Sequence, residues 1–436
     1  MSRLFFYILS LICLWSGTTY SQELGLNFLQ KDQLFNGRNP AVPFPKKTVI
    51  GLPDVSGNLY NESGKLGNFY SSSNGNMVLN LETWWKSLER KNYDTDAGWS
   101  VRTFYFGKKF SQFQFGISHS VEGDAYFQYN KDLVGLIAFG NYGLLDREPL
   151  AKTQPLSLAP ILNTQAYQSF ALDLAYLIND NWSVGITAKY LSGLFSTKSS
   201  IQKFDLDIRD PLVIKADENW SIRSADLIQS FAIDSLKINR TVNTFGTHPG
   251  VAFSAGAFYS SDQLKIGAQL RDLGFIHWNG VEYSRSGTTE YPGLRIDNLL
   301  QTDAGIFNQI KDTLKALTSV KKNAASFNTA IIGRLILDGQ YALTDKWELG
   351  GAFLYRFNNY HSYMRWAAST VFKPAHFFSI GGQVAIDSYH KLTAGFFGSI
   401  RISVVNLYMS LDQLPVLFDA RNSSRFGANV GLSVMW

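Results

Sequence analysis

The stretch from Phe426 to Trp436, FGANVGLSVMW, constrains the fold of this chain more than any other. Phe426, Ala428, Val430, Leu432, Val434 and Trp436 fall on one side of an extended strand. Gly427, Asn429, Gly431 and Ser433 fall on the other, with Met435 as the exception. Period-two alternation marks a strand, and one oily face backed by one small or polar face suits a closed wall between lipid and a wet or packed interior. The competing reading is the last strand of a soluble sandwich, which would have to solubilise all the apolar positions of the even face.

The remaining chain favours the wall. Its 436 residues could form two soluble domains or one large barrel. Charged residues at 17% are sparse and aromatic residues at 14% are abundant, as expected where much of the surface needs no charge. Arg3, the apolar run Leu4 to Leu14 and the small residues before Gln22 read as a secretory signal, residues 1–21, with cleavage after Ser21. Cys13 follows Ile12, where a lipid-anchor signal requires a small residue, so no anchor is expected. Removing residues 1–21 takes away the single cysteine, and with Arg3 it lowers the formal charge from +5 to +4. Thiol chemistry is thereby excluded, and the charge is too mild to call for nucleic acid. No later segment supplies the ~18 uninterrupted apolar residues of a spanning helix. In lipid, a chain without such helices satisfies its backbone only as a closed barrel.

Residues 22–47 form an irregular, proline-rich lead-in, plug-like in character, and residues 48–436 form the barrel. Strand candidates pair across short polar turns at Gly107-Lys108-Lys109, Asn179-Asp180-Asn181, Ser260-Ser261-Asp262, Thr344-Asp345-Lys346 and Lys373-Pro374. Tyr, Trp or Phe bracket these turns, as at one interface of a membrane barrel. The other rim carries long connections near 122–166, 195–248, 279–326 and 412–424. The strands number about fourteen, so both ends of the barrel lie on the short-turn rim, expected to be periplasmic. Leu81, Trp84, Trp85 and Leu88 predict a short loop helix, and residues 298–320 predict another. In 203–218, Asp205 and Asp207 alternate with Phe204, Leu206 and Ile208, which predicts a solvated strand extending past the membrane and not a calcium loop.

The pattern gives no catalytic residue, metal or cofactor. The six histidines are scattered and form no HExxH pair. Ser118-His119-Ser120 is the one local hydroxyl–imidazole candidate, and alternation puts His119 on the face opposite both serines. His277 beside Trp278 reads as an interface residue. Arg285, Arg295, Lys311, Lys315, Lys321 and Lys322 cluster in a loop placed outside; they form either a solvated surface or a site for lipopolysaccharide phosphates. The inward positions Gly395, Ser399 and Ser403 suggest a weakly polar lumen unlike that of a charge-selective water channel.

Several stretches carry a family resemblance. Gln33-Leu34-Phe35-Asn36-Gly37-Arg38-Asn39-Pro40-Ala41 resembles the N-terminal NPA segment of an uncharacterised Bacteroidota outer-membrane β-barrel family, the DUF5723 type. Lys189-Tyr190-Leu191-Ser192-Gly193-Leu194 resembles its strand-to-loop motif, and Asp272-Leu273-Gly274 through Trp278 resembles its DLG-x-I-x-W motif. Gly140-Asn141 is a weaker match. That family is distantly similar to the fatty-acid transporter (FadL-type) barrels and to the PorV-like barrels of type IX secretion. The resemblance implies a fourteen-stranded transmembrane barrel in the outer membrane, with Asn39, Pro40, Ala41, Asp272, Leu273, Gly274 and Trp278 in structural roles. Gly274 would permit a bend or bulge near the rim, and Asp272 would take turn hydrogen bonds. Phe426 and Trp436 resemble the C-terminal insertion signal read by the barrel assembly machinery. The expected function is a monomeric transporter or channel for a small hydrophobic molecule. The alternative is a non-transporting scaffold that binds surface or secretion partners through its long loops. Outer-membrane lipid and lipopolysaccharide are the remaining expected partners.

Overall fold

The computed structural model describes residues 24–29, 34–35, 37–68, 70–73, 76–210, 213–230, 237–238, 245–291, 320–357, 362–388, 392–414 and 423–436. The expected signal (1–21), residues 298–319 of the expected helix and Arg295, Lys311 and Lys315 of the basic cluster lie outside them.

Alternating sequence becomes strand almost throughout. The wall comprises β1 (Thr48–Asn61), β2 (Asn92–Phe110), β3 (Phe113–Asn130), β4 (Ile161–Leu177), β5 (Trp182–Asp210), β6 (Val213–Ala225), β7 (Pro249–Ser260) and β8 (Leu264–Tyr291). It continues through β9 (Lys321–Ala330), β10 (Gly333–Ala342), β11 (Trp347–Phe357), β12 (Tyr363–Ala375), β13 (Phe378–Asp387), β14 (Leu392–Ile402), β15 (Val405–Leu411) and β16 (Arg425–Met435). Neighbours pair antiparallel, and β1 pairs with both β2 and β16, which closes the sheet. At the seam, Thr48 N–H donates to the Trp436 carbonyl at 3.0 Å and Trp436 N–H returns the bond at 3.1 Å. Two segments are outward continuations. β6 takes the place of β7 between β5 and β8, and β9 prolongs β10 along β8. Apart from these the ring has fourteen strands, as the sequence predicts.

The two faces separate as the terminal strand requires. On β16, Val430 is 50% exposed and Leu432 is exposed, while Asn429 and Ser433 are buried inside. The exposed outer face is largely apolar on every side, including Leu172, Leu174, Ile186, Phe253, Leu349, Trp366 and Val384. This is a lipid-facing transmembrane wall. Among the described residues no helix is long and apolar enough to cross a membrane. At the short-turn rim Phe113 lies 5.1 Å from Tyr176, Trp182 lies 5.0 Å from Tyr259 and Trp347 lies 4.6 Å from Phe372. These rings form the expected aromatic girdle.

The far rim carries a cap. The predicted loop helix is α1 (Leu81–Ser87), whose Thr83 N–H donates to the Asn80 side chain at 3.0 Å. A second helix, α2 (Lys131–Arg147), is broken at Gly140 and starts at Asn130, which accepts from Leu133 N–H at 3.0 Å. Sequence reading placed 131–147 in an irregular connection, because Gly135, Gly140 and Gly143 interrupt its apolar periodicity. Trp85, Tyr129, Val134, Leu144 and Leu156 join the two helices into an apolar cluster. Residues 203–210 lie on β5 and 213–218 on β6, extended as the alternation predicts.

Candidate functional site

The lumen is occupied. Residues 24–29 and 34–44, too proline-rich for a wall strand, sit inside the ring with Leu24, Leu26, Phe28, Leu34 and Phe35 buried. Because this segment has no strand partner, side chains of the wall satisfy its backbone. Gln340 Nε2 donates to the Phe28 carbonyl at 2.6 Å, and the Phe28 ring stacks on Phe397 at 5.7 Å. The Leu34 carbonyl accepts from Arg102 Nη2 at 2.7 Å and from the Tyr408 hydroxyl at 2.9 Å. Arg271 Nη1 donates to the Gly37 carbonyl at 3.3 Å, Ser183 Oγ donates to the Ala41 carbonyl at 2.6 Å, and Phe44 N–H donates to Gln114 Oε1.

The motif residues meet at this junction. Asn39 is fully buried; its Nδ2 donates to the carbonyls of Ala257 and Ala268 at 3.1 and 3.2 Å, and its Oδ1 accepts from Ala41 N–H at 2.9 Å. Pro40 follows where the chain crosses Gly185 of β5, and buried Ala41 packs with Val42 and Phe258. Asp272 has φ of 61° and sits at the register step opposite Ser254, whose Oγ accepts from Asp272 N–H at 3.0 Å. Its carboxylate meets Lys189 Nζ at 2.6 Å, Arg271 Nε at 3.0 Å and Arg334 Nη1 at 3.2 Å. Lys189 and Asp272, from two separate motifs, are therefore a buried ion pair, and Arg271 ties that pair to the lumenal segment. Leu273 points to the lipid side and Gly274 pairs with Ala252.

Trp278 is fully buried; its Nε1 donates to Thr329 Oγ1 at 2.7 Å, and that hydroxyl donates to Gln165 Oε1 at 2.5 Å. A Cβ on Gly193 would lie 2.5 Å from the Trp278 ring, so only glycine fits beside it. His248 completes this corner, with Nε2 2.6 Å from Asp226 Oδ2 and Nδ1 accepting from Asn279 N–H at 3.2 Å. Phe426 and Trp436 lie far from it: Phe426 on the outer face of β16, and Trp436, half exposed, at the seam.

The lumen departs from its expected weak polarity. Gly395 and Ser399 face inward, but Ser403 occupies the exposed β14–β15 turn with φ of 58°. Buried ion pairs join Arg365 to Asp412 at 3.3 Å, Arg356 to Asp96 at 3.4 Å and Arg425 to Asp387. Arg356 and Arg365 occupy inward positions between apolar neighbours, in Tyr355-Arg356-Phe357 and Met364-Arg365-Trp366, and were available to alternation counting, whereas Asp96, Asp387, Asp412 and Arg425 each have a polar neighbour. Two cavities remain around the segment. The first, of about 60 Å³, lies between residues 34–44 and the inner faces of β3, β4 and β5. The second, of about 90 Å³, is lined by Glu122, Tyr167, Arg334, Arg356 and Tyr363. Phe35 and Arg271 border both cavities.

On the outer wall, His119 stands apart from Ser118 and Ser120, which line the first cavity. Its Nδ1 is 2.8 Å from Thr103 Oγ1 and its Nε2 is 3.3 Å from Gln168 Oε1. Thr103 is the extra residue of a β-bulge, which alternation could not reveal. The trio satisfies its own hydrogen bonds within the apolar face.

A family model described as "Family of unknown function (DUF5723)" matches residues 40–412. The chain belongs to this family. The DUF5723 match begins at Pro40 of the lumenal junction and ends at Asp412, the partner of Arg365. No curated protein matches the chain. Among solved structures it is similar to the Pseudomonas putida toluene transporter TodX, with 9% identity over 96% of this chain and 94% of that one and a TM-score of 0.45. A Pseudomonas aeruginosa FadL homologue gives 12% identity over 96% and 98%, with a TM-score of 0.44. The COG4313 outer membrane channel of Pseudomonas putida F1 gives 7% over 93% and 100%, with a TM-score of 0.33.

Proposed function

We propose that this DUF5723 chain is an outer-membrane transport barrel held shut by its own lumenal segment, which shifts to let a small molecule pass. One observation carries the reading: residues 34–44 are bound inside the ring mainly through wall side chains, with a cavity on either side of Phe35. Side-chain hydrogen bonds can be exchanged one at a time, whereas a wall strand would have to break a whole ladder. The charged lining favours a passenger with polar groups over a bare hydrocarbon, because stripping water from paired ions against an apolar molecule is costly. In this reading the wall sits among outer-membrane lipid and lipopolysaccharide, the signal is removed on export, and β16 is the strand recognised during assembly.

The scaffold reading rests on the cap and the β5–β6 hairpin, which extend past the apolar belt. Conductance separates the two. The full chain and a variant lacking residues 24–44 would be placed in planar bilayers, with heat-modifiable electrophoretic mobility reporting barrel closure. Transport predicts a closed full-length barrel and steady conductance on deletion. A deleted barrel that stays folded and closed, while the native complex carries a stoichiometric protein partner, establishes the scaffold instead.

A further inference from the structure

We propose that the first lumenal cavity binds a small hydroxycarboxylate that bridges the lumenal segment and the wall. Gln269 is 2% exposed and lines this cavity, yet neither its Nε2 nor its Oε1 has a hydrogen-bond partner. Ser169, 1% exposed on the same lining, has an unpartnered hydroxyl, and buried Arg102 has an unpartnered Nε–H. Buried polar groups are almost always satisfied, so three side chains with unpartnered polar atoms around one cavity point to an occupant.

Their chemistry specifies it. Among the described lining residues Arg38, Arg102, Lys189 and Arg271 are cationic and Asp173 is the one carboxylate. Cations still outnumber carboxylates when Asp272 behind Lys189 and Arg271, and Asp54 beside Arg102, are included. An anion is favoured there, and a carboxylate matches guanidinium geometry. The amide of Gln269 has a free acceptor as well as a donor, so the ligand must also carry a hydrogen-bond donor, and among four cations a neutral O–H serves where an ammonium would be repelled; a bare carboxylate supplies neither. At about 60 Å³ the cavity admits a molecule of a few heavy atoms and excludes an acyl chain. Arg38 and Phe35 come from the segment and Gln269 and Ser169 from the wall, so the ligand fastens one to the other. The inference rests on the lumen geometry alone and would stand if the barrel conducted nothing.

The test titrates the full chain in detergent micelles with sodium L-lactate, with sodium acetate (no hydroxyl) and glycerol (no charge) as comparators, by calorimetry. Lactate binds, acetate binds about tenfold more weakly and glycerol shows no binding. Gln269→Leu and the near-isosteric Gln269→Glu each weaken lactate by about tenfold or more, and Ser169→Ala weakens it several-fold. Lactate also slows amide hydrogen exchange in residues 34–44. A Gln269→Glu barrel that is heat-modifiable and binds lactate as the native chain does would overturn the proposal. Equal binding of lactate and glycerol would overturn it too, as would a high-resolution map with only ordered waters on Gln269 and Ser169 after soaking in lactate.

Discussion

Asp272 has the most partners of any motif residue, because three cations from β5, β8 and β10 converge on its carboxylate. Removing its charge leaves Lys189, Arg271 and Arg334 facing one another in a buried site, and breaking such a cluster costs about 3–5 kcal/mol. Asp272→Asn keeps both the shape and the tolerance for a positive φ; it should lower barrel stability by that amount in urea unfolding from lipid vesicles, with the circular dichroism of the folded state unchanged. Gly37 tests the other end of the chain of contacts. Its φ is +84°, and a Cβ there would lie 1.9 Å from Arg271 Nη1. Gly37→Ala should therefore push Arg271 off the lumenal segment and speed amide exchange in 34–44, while the wall strands exchange as before. Asp272 and Lys189 were visible in the sequence as motif members. Their pairing was not, since no local pattern says which inward positions of two distant strands share a level of the barrel. A bend or bulge was expected in this motif at Gly274; the register step lies two residues earlier, at Asp272, and its position escapes the sequence because a bulged residue breaks the alternation that a strand is recognised by.

Strands were legible where alternation was clean. The turns expected at 107–109 and 373–374 fall inside β2 and β12, and those hairpins reverse at Ser111-Gln112 and His376-Phe377, because polar residues continue the strands past the aromatic bracket. The terminal strand, the alternation in 203–210 and the turns near 179–181, 260–262 and 344–346 do follow from period two. The cap helix α2 did not, because its glycines weaken the helical signal and it is held by tertiary burial of Val134 and Leu144 against Trp85 and Tyr129. The same logic shows which elements the barrel can lose. Ser192 of β5 already pairs with Pro249 of β7, and Gly193 N–H donates to the His248 carbonyl at 2.8 Å. The outer half of β5 and all of β6 thus extend above a complete ring. Replacing residues 196–245 with a short Gly-Ser turn should leave a heat-modifiable barrel with an unchanged seam and with exposed Tyr283 on the bared edge of β8. Failure to close would mean that β6 templates β8, and the fourteen-strand ring could not form alone.

At the scale of the whole molecule, the barrel reverses the usual globular arrangement, with apolar side chains outside and ions within, and β16 carries both rules in neighbouring positions. Val430 is half exposed to lipid between Met409 of β15 and Val55 of β1. A cation there has no partner, and Val430→Arg should cost about 2–4 kcal/mol if the site lies near mid-bilayer depth. Arg425, on the inner face of the same strand, pairs with buried Asp387 and lies 4.8 Å above the Tyr60 ring. Arg425→Met makes the interior more apolar yet takes a cation from a buried carboxylate, at a cost of up to about 3–5 kcal/mol. Adding the Asp387→Asn change to Arg425→Met should return much of that loss, since the unbalanced charge and not the missing arginine is what costs. Unfolding of the single and double variants from vesicles of fixed thickness, followed by tryptophan fluorescence, checks all three. If Val430→Arg were harmless, the ring would not be immersed in lipid, and the apolar face would instead be buried against protein.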